Sequence, residues 1–175
     1  DPDARLREQL EALGPRLRRH FPYPAIRWTA PANYHITLVF LGQVAVADVA
    51  RIRECVLPVA ATLAPFRYRL AAVRAFPSAR SPRVIAALPA DAADFQAWQA
   101  PLAAALAAAG FAIESRPYRP HLSLGRWRGR AACPAGEDLA VDLAGEAGEL
   151  CLYESREGRY WPLFGTPCQR SRPGA

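Results

Sequence analysis

The chain contains neither lysine nor methionine, so arginine supplies all 22 of its basic side chains. Arginine keeps its charge at any working pH and binds phosphate in a bidentate manner. Against 16 acidic residues, the formal net charge is +6, which permits a polyanionic partner without proving one. Hydrophobic residues make up 51% and charged residues 22%, and this balance excludes an intrinsically disordered chain.

Long hydrophobic runs, internal repeats and paired cysteines are also missing. No apolar run approaches the roughly 18 residues that a transmembrane helix needs, so we expect no membrane partner. The four cysteines form no CxxC pair, which argues against a zinc-ribbon or thioredoxin-like site. Because no secretory signal is visible, we expect reduced thiols in a cytoplasmic protein. A length of 175 residues suits one domain, or two small lobes sharing a core.

Hydrophobic periodicity predicts helices interleaved with strands. The predicted helices span 3–19, 47–63, where Pro58 argues for a break, and 91–109, closed by Gly110. The predicted strands span 26–29, 34–41, 66–76, 83–88, 121–127, 150–155 and 160–164, whereas 128–146 fits no pattern. Two strand pairs, at 66–88 and around Gly158, are predicted to form hairpins. This order favours an α+β fold with mixed or antiparallel sheets over a doubly wound parallel one.

Two of the three histidines lie in the same local pattern. Residues 35–38 are His-Ile-Thr-Leu, and residues 121–124 are His-Leu-Ser-Leu. Residues two apart on a strand share a face, so each histidine lies beside its hydroxyl side chain. A half-buried strand can carry such a pair on its solvent face with no function. A repeat at two of only three histidines nevertheless favours a functional unit used twice.

Two imidazoles and two hydroxyls suit acid–base chemistry on a phosphate. Near pH 7 one imidazole can accept a proton from water while its protonated partner donates to a leaving oxygen. The hydroxyls can hydrogen-bond the non-bridging oxygens, where negative charge accumulates. Two histidines on separate strands without an adjacent carboxylate make a poor zinc site, so we expect no metal and no cofactor.

The paired pattern resembles that of the 2H phosphoesterases, which are named for two His-x-Thr/Ser motifs. Within them it is most similar to the RNA 2′,3′-cyclic phosphodiesterase branch, also called 2′-5′ RNA ligase-like. Residues 33–42 resemble the first motif of that branch, 116–126 the second, and 152–155 a late strand. The resemblance implies one bilobal α+β domain spanning 1–175. In it, two pseudo-symmetric halves with antiparallel or mixed sheets line a central cleft, with helices outside.

The resemblance also implies roles for individual residues. His35 would be the proton donor and His121 the proton acceptor, while Thr37 and Ser123 would hold phosphoryl oxygens. The implied activity is metal-independent hydrolysis of RNA 2′,3′-cyclic phosphate ends to 2′-phosphomonoesters, with 2′-5′ RNA ligation as a reverse activity. The expected partner is an RNA or oligonucleotide with such an end, bound by a monomer. The alternatives are a phosphodiesterase for 2′-5′ oligonucleotides or small cyclic nucleotides, and a non-catalytic RNA-binding module.

Arginines and aromatic residues near the motifs are further candidates. Arg119 and Arg126 flank the second motif and would neutralise phosphate charge, unless they are ordinary surface charge. The arginine-rich stretch 126–130 either guides RNA or forms a solvated loop. Aromatic side chains can stack on a base, although on strands they more often belong to the core. The candidates for stacking are Phe40, Tyr118, Trp127 and Tyr23.

Three features depart from the family pattern. Ser123 replaces the commoner threonine, which keeps the hydroxyl but loses the methyl group that stiffens χ1. Val39 stands where an arginine is frequent in the first motif. The family opens with a short strand before the first helix, whereas this sequence begins at the helix. We therefore expect either a sheet without that edge strand or a strand outside the sequence given.

Overall fold

The computed structural model describes residues 1–129, 132–133, 138–156 and 158–168. The helices are α1 (Ala4–Ala12), α2 (Gly14–His20), α3 (Asp48–Ala60) and α4 (Ala93–Ala108), with a 3-10 turn at Pro31–Asn33. The strands are β1 (Ile26–Trp28), β2 (Phe66–Phe76), β3 (Val84–Pro89), β4 (Leu122–Trp127), β5 (Leu139–Ala147), β6 (Glu149–Arg156) and β7 (Arg159–Pro167). None of the described helices is long and apolar enough to cross a bilayer.

Two antiparallel sheets of unequal size organise these elements. The larger has five strands in the order β1-β4-β3-β2-β5, and β6 and β7 form a separate hairpin. The predicted α+β class is confirmed, as are the two predicted hairpins and the glycine that closes α4, Gly110, with a φ of 86°. Strand β5 lies in the stretch that fitted no pattern, and it pairs with β2.

The five-stranded sheet has one covered and one open face. Its alternate apolar residues, Val73, Ala75, Ile85, Ala87, Leu122 and Leu124, are buried against the leucines of α1 and α2. Burial of this kind stabilises the fold by about 25 cal/mol per Å² of apolar surface. The intervening residues of β4, beginning with His121 and Ser123, point to the other face because side chains alternate along a strand. Helices α1 and α2 therefore leave that face free for a site.

Two helix predictions need correction at prolines. The single helix predicted over 3–19 is divided at Leu13, because Pro15 in the first turn of α2 has no N–H to continue the ladder of α1. Asp3 caps α1 by accepting a hydrogen bond from the Leu6 amide at 2.9 Å. The break predicted at Pro58 is absent, since α3 runs to Ala60 with the proline in its last turn.

The continuous strand predicted over 34–41 is wrong. The segment forms a single antiparallel bridge, between Ile36 and Leu122. Strand β1 already pairs with the far half of β4, and the 3-10 turn after β1 offsets the chain, so only this short contact remains. The alternation also fails beyond residue 38. Phe40 is 67% exposed, whereas Val39 packs against the buried residues of α3 and α4.

Candidate active site

The bridge between Ile36 and Leu122 brings the two histidine motifs side by side. Its antiparallel register places His35 opposite Ser123 and Thr37 opposite His121. Leu122 is fully buried and Ile36 packs against the same core cluster. Because neighbouring residues point to opposite faces, the two histidines and the two hydroxyl residues share the open face. The segment around Ile36 and strand β4, which are far apart in sequence, thus place two similar pairs of histidine and hydroxyl side chains next to each other.

Both imidazole rings are held by the same backbone contact. His35 Nδ1 lies 2.8 Å from the Asn33 carbonyl oxygen, and His121 Nδ1 lies 2.9 Å from the Arg119 carbonyl oxygen. Because a carbonyl oxygen only accepts, Nδ1 donates in each contact and carries the proton. In a neutral ring the lone pair is then on Nε2, which is free to accept a proton from water.

The surroundings favour the neutral form of both rings. Burial is the main cause that lowers the pKa of His35, and the charges of His121 and Arg126 are among those that lower it further, against the opposing hydrogen bond to Asn33. Burial also lowers the pKa of His121, with a smaller contribution from the charge of Arg119. The two rings repel each other when both are protonated, so each disfavours the charged form of the other.

The hairpin of β6 and β7 supplies aromatic contacts to His35. The ring centroid of Tyr160 lies 4.2 Å from that of His35, and Tyr153 lies at 6.1 Å. The Tyr160 hydroxyl accepts a hydrogen bond from Arg126 Nη2 at 3.4 Å. Burial raises the pKa of Tyr153 to about 12, so its hydroxyl stays protonated in the working range. Tyr160 therefore links the first histidine to Arg126.

Phe76, at the end of β2, supports His121. The two rings are stacked, with centroids 4.3 Å apart and planes 24° from parallel. The guanidinium carbon of Arg119 lies 4.6 Å from the centre of the same phenyl ring. Phe76 is 9% exposed, so it is a fixed surface for both neighbours. Arg119 is placed beside His121 by its own backbone contact and by this cation–π contact.

A β-bulge turns Arg126 onto the open face. Ala86 pairs with Ser123, but the next residue of β3, Ile85, pairs with Gly125, so β4 contains one extra residue. Simple alternation from His121 would place Arg126 on the helix-covered face, and the bulge reverses this. Glycine is required at the bulge, since a Cβ on Gly125 would lie 2.8 Å from Ile26 Cγ2.

The structure gathers most of the predicted site residues. His35, Thr37, His121 and Ser123 share one face, and Arg119 and Arg126 contact the aromatic residues beside the histidines. The predicted stacking residues are placed otherwise. Tyr118 and Trp127 pack against the main core, Trp127 edge-on to Tyr23 at 5.6 Å, and Phe40 is exposed beyond the motif. Arg130, in the arginine-rich stretch, lies outside the described residues.

Three aromatic neighbours of the histidines were not predicted. Tyr153 lies in the stretch 152–155 that resembles the family's late strand, so a signal for it existed. Phe76 and Tyr160 carry no local signal, because they reach the histidines through the pairing of strands far apart in sequence. In the described part of the chain, no three His, Cys, Asp or Glu side chains converge into a group that could hold a metal ion.

Comparison with known sequences gives consistent matches. A family model described as LigT like phosphoesterase matches residues 1–86. The RNA 2′,3′-cyclic phosphodiesterase of Bacillus subtilis (strain 168) is 30% identical over 131 residues, which cover 74% of this chain and 68% of that protein. The protein of the same name from Geobacillus stearothermophilus is 33% identical over 163 residues, or 86% of this chain. That match spans 52% of the Geobacillus protein, about half its length.

Solved structures show the same fold. A protein of Thermus thermophilus superposes with a TM-score of 0.78 at 23% identity, over 94% of each chain. Crystalline E. coli LigT, in complex with 3′-AMP, superposes with a TM-score of 0.71 at 25% identity. That match covers 97% of this chain and 95% of the E. coli chain.

Proposed function

Because this chain belongs to the LigT-like phosphoesterase family, we propose that it hydrolyses RNA 2′,3′-cyclic phosphate ends to 2′-phosphomonoesters without a metal ion. The observation that carries the proposal is the bridge between Ile36 and Leu122, which sets two His-x-Thr/Ser motifs opposite each other on one open face. The relatives named RNA 2′,3′-cyclic phosphodiesterase support the choice of substrate.

The two imidazoles supply the proton transfers of this reaction. Nε2 of His121 accepts a proton from water as the water oxygen attacks phosphorus. The bond between phosphorus and the 3′ oxygen breaks, and protonated His35 donates the Nε2 proton to that oxygen. The products are a 2′-phosphomonoester and a 3′-hydroxyl. The family resemblance assigns which histidine is the acid and which is the base, and the shared Nδ1 contact leaves Nε2 available in both.

The groups around the phosphate suit its charge. The hydroxyls of Thr37 and Ser123 can donate to the non-bridging oxygens as negative charge develops there. Arg119 and Arg126 add two positive charges beside the histidines. Burial lowers the pKa of His35, and repulsion from His121 and Arg126 lowers it further. A bound anion offsets this repulsion, so substrate binding favours the protonated acid that the mechanism needs.

The same chemistry accommodates 2′-5′ ligation. When the 5′-hydroxyl of a second RNA takes the place of water, its proton goes to His121 and the 3′ oxygen still departs with the proton from His35. The product is a 2′-5′ phosphodiester, and the reverse reaction regenerates the cyclic end. The balance between water and hydroxyl as the nucleophile depends on occupancy of the site by the second RNA.

Incubation with RNA bearing a 2′,3′-cyclic phosphate end tests the proposal. Phosphorus NMR is expected to show conversion to a 2′-phosphomonoester, with the same rate in EDTA as in buffer. A 3′-phosphate product would contradict the proposed orientation, and loss of activity that zinc or magnesium restores would contradict metal independence. In a parallel panel, faster cleavage of 2′-5′ oligonucleotides or small cyclic nucleotides would favour those substrates. Tight RNA binding without any turnover would favour a non-catalytic module.

A further inference from the structure

Three exposed arginines form a strip on the open face at the β1 edge of the five-stranded sheet. Arg27 of β1 lies directly opposite Arg126 of β4. The Arg128 amide bonds to the Ala25 carbonyl at 2.8 Å and so continues the same ladder. Because Arg128 is two residues beyond Arg126, both side chains share the open face. We call Arg27, Arg126 and Arg128 the arginine strip.

The charges of the arginine strip are not balanced by acidic side chains. Like charges directly opposite each other on neighbouring strands destabilise a sheet. None of the ion pairs in the described part of the chain involves these three residues. By contrast Arg74, which pairs across the sheet with Ala86 on the same face, binds Asp138 at 2.9 Å. A row of three arginines without an ion pair among the described residues thus lies on the β1 side of the site.

The arginine strip is continuous with the histidines. Arg126 donates to the Tyr160 hydroxyl, and the Tyr160 ring contacts His35. On the β2 side, Phe76 lies against His121 and Arg119, so an aromatic side chain borders the site there. A chain whose last phosphate lies between the histidines therefore meets the single arginine Arg119 on the β2 side and the three arginines of the strip toward β1.

We propose that the arginine strip binds the phosphodiester backbone of the RNA on the 5′ side of its cyclic end, with Arg27 contacting an upstream phosphate. The inference rests on the proposed function, since it takes the cyclic end as the group bound at the histidines. It makes the preferred substrate an oligonucleotide, because a mononucleotide has no upstream phosphodiester. Arginine suits this contact, since its guanidinium group binds phosphate in a bidentate manner.

The charge-removing variant Arg27→Gln separates the strip from the catalytic groups. We expect its Kd for a 5′-labelled RNA octamer ending in a 2′-phosphate, measured by fluorescence anisotropy, to rise roughly three- to tenfold. The slope of log Kd against log salt concentration is expected to fall by about 0.7, the value for one phosphate contact on a single strand. Arg128→Gln is expected to change both quantities in the same direction, and Arg27→Lys to restore the slope.

Arg53→Gln is the matched control, because Arg53 is an exposed arginine of α3 outside the strip. It is expected to leave the octamer Kd and the salt slope as in the wild type. An unchanged octamer Kd in Arg27→Gln would overturn the proposal, as would an equal loss in Arg53→Gln. Thermal unfolding of each variant shows whether the protein is folded, and a changed slope in a fully folded Arg27→Gln excludes a purely structural effect.

A mononucleotide substrate keeps this test separate from the proposed function. The kcat/KM of Arg27→Gln for a nucleoside 2′,3′-cyclic phosphate is expected to equal that of the wild type, while kcat/KM for a cyclic-ended octamer falls. An equal fall for both substrates would place Arg27 at the reacting nucleotide and overturn the backbone contact. If the wild type hydrolysed neither substrate, the proposed function would fail, whereas the anisotropy measurement would still decide whether the strip binds RNA.

Discussion

The two histidines have the same backbone contact but are supported by different parts of the molecule. His121 directly precedes β4, in the interior of the five-stranded sheet, and stacks on Phe76. His35 lies in a segment with one bridge to that sheet, and its ring packs against Tyr160 of the separate hairpin. The comparison shows that two copies of a motif can share their local backbone geometry without sharing the elements that support them.

The charges around the two rings are alike, in contrast to their supports. Burial is the main cause that lowers both pKa values, and the two rings also repel each other when both are protonated. The charge of Arg126 adds to this at His35, and the charge of Arg119 adds to it at His121. An anion bound between the rings therefore relieves repulsion at both, and the assignment of His35 as the acid rests on the family resemblance.

Removal of either imidazole is expected to have the largest effect. His35→Ala and His121→Ala should each lower kcat/KM by roughly 10²–10⁴-fold, the usual contribution of a general acid or base. A substrate whose leaving group needs no proton should restore His35→Ala far more than His121→Ala. Steady-state kinetics with both substrates measure this. Equal restoration of the two variants would remove the assignment of roles, and near wild-type turnover in a folded variant would remove the mechanism.

Phe76→Leu tests the support of His121. Leucine keeps the position apolar but removes the flat ring on which His121 stacks, so we expect kcat to fall roughly tenfold with little change in KM. Phe66→Leu is the control, because Phe66 makes edge-on contacts to Phe95 and Trp98 instead of contacts to a histidine. Similar kcat losses in both variants, at similar losses of thermal stability, would show that Phe76 acts only through the general stability of the core.

The pH dependence tests the effect of burial that the two rings share. Burial lowers both histidine pKa values, so each ring loses its proton at a lower pH than an exposed histidine, whose pKa is 6.5. The singly protonated pair should therefore give a bell-shaped kcat/KM with its maximum below about pH 6.5. Proton NMR with inorganic phosphate should show a rise in the pKa of both histidines, because a bound anion offsets the repulsion between the two rings. A rise at one ring only would show that the anion does not lie between the two histidines.

A feature of the fold could be predicted from the sequence where neighbouring residues determine it, and could not where the pairing of distant segments does. The β2–β3 hairpin and α4 depend on local periodicity and punctuation, such as the positive φ of Gly110, and they were predicted. The segment around Ile36 alternates like a strand, but its pairing was decided by β1 and the 3-10 turn, which occupy the adjacent edge of β4. Strand β5 is only weakly patterned and gains its order from pairing with β2.

In the candidate site too, residues set by local spacing could be predicted and residues set by distant contacts could not. Spacing alone identified the histidines and hydroxyls, because two residues on a strand fix a shared face. Arg126 was identified by resemblance and not by spacing, since alternation from His121 gives the wrong face and the bulge at Gly125 corrects it. Phe76 and Tyr160 depend on contacts between distant strands, and no local pattern encodes such contacts.

Tyr160→Phe is expected to have the smallest effect and separates the two contacts of this tyrosine. The variant keeps the ring that lies 4.2 Å from His35 but removes the hydroxyl that accepts from Arg126. At 3.4 Å that hydrogen bond is long and therefore weak, so kcat/KM should fall only about two- to threefold. Tyr160→Leu removes the ring as well and should lower kcat further, as is expected for Phe76→Leu at His121. A loss above roughly tenfold in Tyr160→Phe would mean that the hydroxyl itself contacts the substrate, because a weak bond to Arg126 cannot account for that much.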